Sequence, residues 1–163
     1  MRDTGRVYVA AESCYREVRA VSATRIDLYR RYVERAAVHQ FLGLKVENIG
    51  EGEALISVPV DNHTLNTAGT LHGGVIYLVS DVAALAALGP SLSEDEFALT
   101  IDIQCSVYRA TTRGPVFFRG RVASRSRRLA FMNVDVTDGN GNLVAEARVT
   151  KAITHTVPDI LRE

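Results

Sequence analysis

The sequence predicts an α+β domain in which an antiparallel sheet packs on one long buried helix. Three observations predict it: an almost wholly apolar run at 73–88, four strand-like runs after it with no helix between them, and a strand-like hairpin before it. That order excludes a doubly wound parallel sheet, because parallel strands need crossover helices. At 163 residues the chain amounts to about one domain. Hydrophobic residues at 47% and charged residues at 23% suit an ordinary globular core and exclude disordered, collagenous and disulfide-dense classes.

Residues 1–22 are weakly patterned, with alternation at Val7 and Val9 and helical spacing at Val18 and Val21, and read as an extension to a domain spanning 23–155. Residues 156–163 are left as a tail. From Thr24 to Gln40 the residues Ile26, Tyr29, Tyr32, Val33, Ala36 and Ala37 recur at helical spacing, which predicts one amphipathic surface helix ending near Gly43. Leu44–Ile49 and Glu53–Val60, separated by Gly50-Glu51-Gly52, read as a hairpin. Residues 61–72 carry turn formers without periodicity and read as a loop.

Gly73–Leu88 follows, with Tyr77, Ser80 and Asp81 as its only polar side chains and Gly89-Pro90 as its stop. A helix apolar on nearly all sides is a buried one. Phe97–Tyr108 alternates strictly, with Phe97, Leu99, Ile101, Ile103, Cys105 and Val107 on one face. Val116–Arg125 alternates too, and Leu129–Thr137 joins Leu143–Ile153 through Asp138-Gly139-Asn140-Gly141, a strong hairpin signal.

The chain holds 19 basic and 19 acidic residues, so it has no global attraction to nucleic acid or to an anionic membrane, and neither partner is expected. The N-terminus shows no secretory pattern and no stretch reads as a membrane span. Cys14 and Cys105 are far apart and lack metal-ligand spacing, so neither a disulfide framework nor a metal is expected, and a reducing cytoplasmic setting fits. His39, His63 and His155 are scattered and form no ligand set.

Asp81 is the sharpest chemical feature. It lies too deep in an apolar helix to be an N-cap, and a buried carboxylate costs several kcal/mol unless it is paired or used. It is either a structural acid bonded to a polar partner or a functional one. The loop before it ends in His72-Gly73-Gly74, which puts side-chain-free residues where unpaired N–H groups and the positive end of the helix dipole face outward. Such a helix start welcomes a developing oxyanion, though paired glycines also permit close packing. Gly73 and Asp81 are eight residues apart, roughly 12 Å along one straight helix, so one carbonyl cannot touch both. If they cooperate, they come from two protomers whose helices run antiparallel across a two-fold axis, which implies an obligatory dimer with two interfacial sites.

Asn66-Thr67-Ala68-Gly69-Thr70-Leu71-His72-Gly73-Gly74 followed by Asp81 resembles the signature of hotdog-fold acyl-CoA thioesterases of the phenylacetyl-CoA thioesterase (PaaI-like) type. That pattern is an Asn, then Gly-x-x-His-Gly-Gly, then an acid seven residues after the second Gly, and the similarity spans about residues 25–153. The resemblance implies a cofactor-free dimer or dimer of dimers that hydrolyses an acyl-CoA thioester. Asp81 would be nucleophile or general base, and the Gly73 N–H would polarise the carbonyl, with Gly74 beside it. His72 and Asn66 would orient the thioester and its attacker. A polar residue early in the third strand would assist; Thr100 is the candidate, although Ala98, Thr100 and Asp102 share a face by alternation.

From Arg109 to Arg128 there are seven arginines and no acid. Arg119, Arg121 and Arg125 fall on one strand face, and Arg125, Arg127 and Arg128 are candidates to hold the nucleotide phosphates of a CoA substrate if the run is more than a solvated face. Tyr77, one turn before Asp81, is the candidate for acyl-end selectivity. The alternatives are a thioesterase acting on an acyl carrier protein, a hotdog dehydratase or hydratase, and a non-catalytic acyl-CoA-binding protein. The second lacks its usual His-Phe-Pro-type loop here, since Gly73-Gly74 follows His72, and the third would not need Asp81.

Overall fold

A computed structural model of the chain describes residues 22–161. In order these form α1 (Ala23–Arg35), α2 (Ala37–Phe41), β1 (Lys45–Ile49), β2 (Glu53–Val58), α3 (Gly73–Leu88), β3 (Phe97–Val107), β4 (Val116–Arg125), β5 (Leu129–Thr137) and β6 (Leu143–Thr154), with single 3-10 turns at Gly89–Ser91 and Asp159–Leu161. The expectations for residues 1–21, including Cys14, lie outside the described residues.

The strands make one six-stranded sheet in the order β1-β2-β4-β5-β6-β3, every neighbour antiparallel. Its inner face closes on α3, and the fold follows from that fit. Val75, Ile76, Val79 and Ala83 of the helix share one core with Ile56 on β2, Phe118 on β4 and Met132 and Val134 on β5, all of them buried. Fully burying side chains of this size contributes about 1.5–3 kcal/mol each. By length and composition the stretch Gly73–Ser91 could cross a membrane, yet 67% of it is buried inside the fold, which accounts for its apolarity. The helix approaches β4 so closely that a Cβ on Gly120 would stand 2.5 Å from the carbonyl oxygen of Ala83.

The single surface helix expected over 24–40 is two helices. At Ala36 the backbone turns to ψ 125°, ending α1 and starting α2. The carbonyls released by the break are recaptured by side chains: Nδ1 of His39 bonds the Val33 carbonyl at 2.7 Å, and Gln40 Nε2 donates to that of Glu34 at 3.0 Å. No Gly or Pro marks the break, so periodicity alone ran through it.

Four of the five strand pairings carry a register shift, and those in β3 and β4 reposition candidate residues. In β3 the pairing with β6 shifts between Thr100 and Asp102, leaving Ile101 as the extra residue. Ala98 and Thr100 therefore face α3, Asp102 turns to the outer face, and Ile103 and Cys105 become the core-facing residues beyond the bulge. In β4 the register shifts between Val122 and Ser124. Arg119 and Arg121 stay on the outer face, paired with Glu53 and Asp135, while Arg125 is carried inward, so the three arginines do not share a face.

Candidate active site

The loop before α3 is tied to itself and to its neighbours. Asn66 Oδ1 accepts from the N–H groups of Ala68 and Thr70, at 2.9 and 3.1 Å, and its Nδ2 donates to Thr70 Oγ1 at 2.9 Å. The side chain thus shapes its own turn rather than reaching outward. The Leu71 and His72 N–H groups donate to the carbonyls of Thr111 and Thr64, both at 2.8 Å, which sets His72 as the N-cap of α3. Its Nδ1 accepts from the Gly74 N–H at 2.8 Å. That bond fixes the ring as the tautomer carrying hydrogen on Nε2, and the ring lies where a Cβ on Gly74 would come within 3.0 Å of Nδ1. Gly74 is therefore a packing partner of His72. Gly73 has open space where a side chain would stand, and its N–H makes no hydrogen bond among the described residues. One donor at the positive end of a 16-residue helix is left free. A His72→Ala variant should lose about 1 kcal/mol of stability, the usual contribution of a side-chain N-cap, and urea unfolding checks it.

Asp81 sits two turns further on, where α3 faces β3 and β6. The bulge at Ile101 presents Thr100, whose hydroxyl donates to Asp81 Oδ1 at 2.6 Å. A third group completes the cluster, and sequence reasoning missed it. Lys151, on β6 directly opposite Thr100, places Nζ 2.7 Å from Asp81 Oδ1 and 2.6 Å from Thr100 Oγ1. Its side chain is 1% exposed against 37% for Asp81. Burial pushes the Lys151 ammonium below its usual range, with the Asp81 carboxylate opposing that shift. The signal was present in the strand pattern: Ala145, Ala147 and Val149 are buried on the same register, and Lys151 is a cation in line with them.

Tyr77 stands one turn before Asp81, exposed, with its hydroxyl donating to the Cys105 carbonyl at 3.4 Å. The arginine candidates separate. Arg125 is engaged inside the protomer: Nη2 lies 2.6 Å from Glu96 Oε2, and Nη1 donates to the Ser91 carbonyl at 2.9 Å. This ion pair ties β4 to the segment after α3 and takes Arg125 out of the free positive patch. Arg127 and Arg128 occupy the exposed turn between β4 and β5. Burial alone would raise the Glu96 carboxyl, but the Ser93 N–H and Arg125 outweigh it and hold the group below its ordinary value. Its stabilising effect is therefore complete above the ordinary glutamate range and is lost as pH falls through the lowered value. Glu96→Gln should flatten the decline in melting temperature between about pH 5 and pH 3, a window set by the ordinary Glu value of about 4.3. Among the described residues no three His, Cys, Asp or Glu side chains gather as metal ligands.

A six-stranded antiparallel sheet wrapped on one long central helix is the hotdog architecture of the thioesterases. The chain belongs to the thioesterase superfamily, whose profile matches residues 68–145. It is 30% identical to the phenylacetic acid degradation protein PaaI of Thermus thermophilus, known here from a point mutant; the match covers 72% of this chain and 98% of that one, with a TM-score of 0.66. A thioesterase from Haemophilus influenzae shares the fold at a TM-score of 0.77 over 85% of this chain and 96% of that one, with 21% identity. The 1,4-dihydroxy-2-naphthoyl-CoA hydrolase of Listeria monocytogenes is 21% identical over 71% of this chain and 94% of its own length.

Proposed function

We propose that the protein hydrolyses acyl-CoA thioesters at sites shared by two copies of the chain. The carrying observation is the placement of Asp81: a carboxylate halfway along the core helix, partly open, braced on one oxygen, and two turns from a free helix-start amide. The Gly73 N–H polarises the acyl carbonyl. Asp81 then acts in one of two ways. As nucleophile, it forms a bond to the acyl carbon while the carbon–sulfur bond breaks and CoA leaves as thiolate; water then cleaves the mixed anhydride. As general base, it takes a proton from water as the water oxygen bonds to that carbon, and passes the proton to the departing thiolate.

Gly73 and Asp81 lie on one unbroken helix, which supports the two-protomer arrangement. Among the described residues β3 ends the sheet with its outer edge unpaired and with Leu99, Ile101 and Val107 exposed along it. Such an edge is a template for another strand, and two β3 edges meeting across a two-fold axis would bring the helices antiparallel. His72 acts through the α3 cap and Asn66 through the loop, so both position the amide. Tyr77 borders the acyl end, and Arg127 and Arg128 are the remaining candidates for the phosphates. Free-thiol release from a panel of aryl-CoAs and straight-chain acyl-CoAs tests this reading. Turnover of at least one member is expected; silence across the panel overturns it and moves the carrier-protein substrate to the front.

A further inference from the structure

We infer that Lys151 is a positioning residue for Asp81: together with Thr100 it anchors Oδ1 and so assigns Oδ2 as the oxygen that meets the thioester or its attacking water. The inference rests on the thioesterase reading of Asp81. Both bonds to the carboxylate converge on one atom, from Thr100 Oγ1 at 2.6 Å and Lys151 Nζ at 2.7 Å. The hydroxyl also accepts from Nζ at 2.6 Å, so the three side chains close a ring in which the direction of each hydrogen is set. With the hydroxyl hydrogen committed to Oδ1, the carboxylate is no longer symmetric. One oxygen is tied to β3 and β6, and the other remains for chemistry on the open side.

A lysine in this position calls for an explanation beyond packing. It is sealed in the sheet at 1% exposure, where its neighbours on the same register are Ala147 and Val149. Replacing buried ion pairs with apolar residues is often neutral or stabilising, so stability alone does not account for the ammonium. The charged group facing Lys151 is Asp81 of α3; β3 contributes Thr100 and β5 contributes Ala130, neither of which titrates. Among the described residues the cation therefore acts on a single carboxylate.

The test uses the full chain with Lys151→Met, which keeps the stem and removes the charge, and Thr100→Val, which keeps the shape and removes the hydroxyl. With the best substrate of the acyl-CoA panel, Lys151→Met should lower kcat by about 100-fold through misplacement of the carboxylate and leave KM within about twofold. Thr100→Val should likewise lower kcat and leave KM within about twofold. A direct readout needs no turnover: in protein carrying 13C-carboxyl aspartate, the signal missing from Asp81→Ala should change its chemical shift in Lys151→Met relative to the unaltered chain at the same pH. Unchanged kcat, or an unmoved carboxyl signal, overturns the inference. If no acyl-CoA is hydrolysed, the carboxyl signal still decides whether Lys151 governs Asp81, while the thioesterase reading fails separately. Should Lys151→Met not fold, an undiminished kcat in Thr100→Val overturns the anchoring by itself.

Discussion

Gly120→Ala should destabilise the protein by about 3 kcal/mol, the upper part of the usual overpacking range, and so lower its melting temperature by about 6–12 °C. The new methyl group would stand 2.5 Å from the Ala83 carbonyl oxygen and 2.7 Å from its carbon, with the Ala84 nitrogen at 3.2 Å. These are backbone atoms in the middle of α3. A side chain could rotate out of the way, but here either the helix or β4 must move, and both carry buried core residues on the facing surfaces. Gly50→Ala is the control: its Cβ would meet nothing within 4 Å, and its φ is not positive. It should change stability by no more than about 0.5 kcal/mol. Calorimetric melting of the two variants beside the unaltered chain decides the matter; equal melting temperatures would mean that the helix rides further from the sheet than described.

That close approach explains which parts of the molecule were legible in the chain. The bounds of α3, β4 and β5 are those the sequence predicts, because a 16-residue, almost wholly apolar run and largely alternating strands leave little choice of period. The small residues Ala83, Ala84, Ala86 and Ala87 and the lone Gly120 are the sequence trace of the helix lying against the strand. What escaped were the local exceptions to periodicity: the turn at Ala36 and the register shifts, above all those in β3 and β4. A bulge carries no obligatory residue type, and its consequence is large, since one extra residue sends every later side chain to the opposite face. The bulge at Ile101 separates Thr100 from Asp102 and settles which of them faces Asp81. The bulge in β4 turns Arg125 from a surface cation into the partner of Glu96. Asp81 and Gly73 were legible because a short motif and one helix contain them. Lys151 was not, because its meaning depends on a contact 70 residues away.

Asp81→Ala should abolish thiol release almost entirely, with a loss of at least about 10²–10⁴-fold if the carboxylate is a general base and more if it is the nucleophile. The same variant should also weaken the fold. Removing one partner of a buried pair leaves an uncompensated charge, at a cost of about 3–5 kcal/mol. Here the loss should fall near 3 kcal/mol, because Asp81 is 37% exposed and Lys151, already pushed toward its neutral form by burial, can shed its proton. The sign of the pH effect follows. Between the lowered Lys151 value and that of an unfolded lysine, the unfolded chain binds more protons than the native one, so stability rises with pH through that window. Without the opposing carboxylate the window widens downward, and Asp81→Ala should recover part of its deficit as pH is raised from about 7 to about 9, below the ordinary Lys value of about 10.4. Adding Lys151→Met to Asp81→Ala should restore stability without restoring turnover, which separates the two consequences of one substitution. Melting curves across that pH range and thiol release from the same preparations measure both. A double variant as unstable as the single one would mean that the stranded ammonium is not the source of the loss, and retained thiol release in either would remove Asp81 from the reaction.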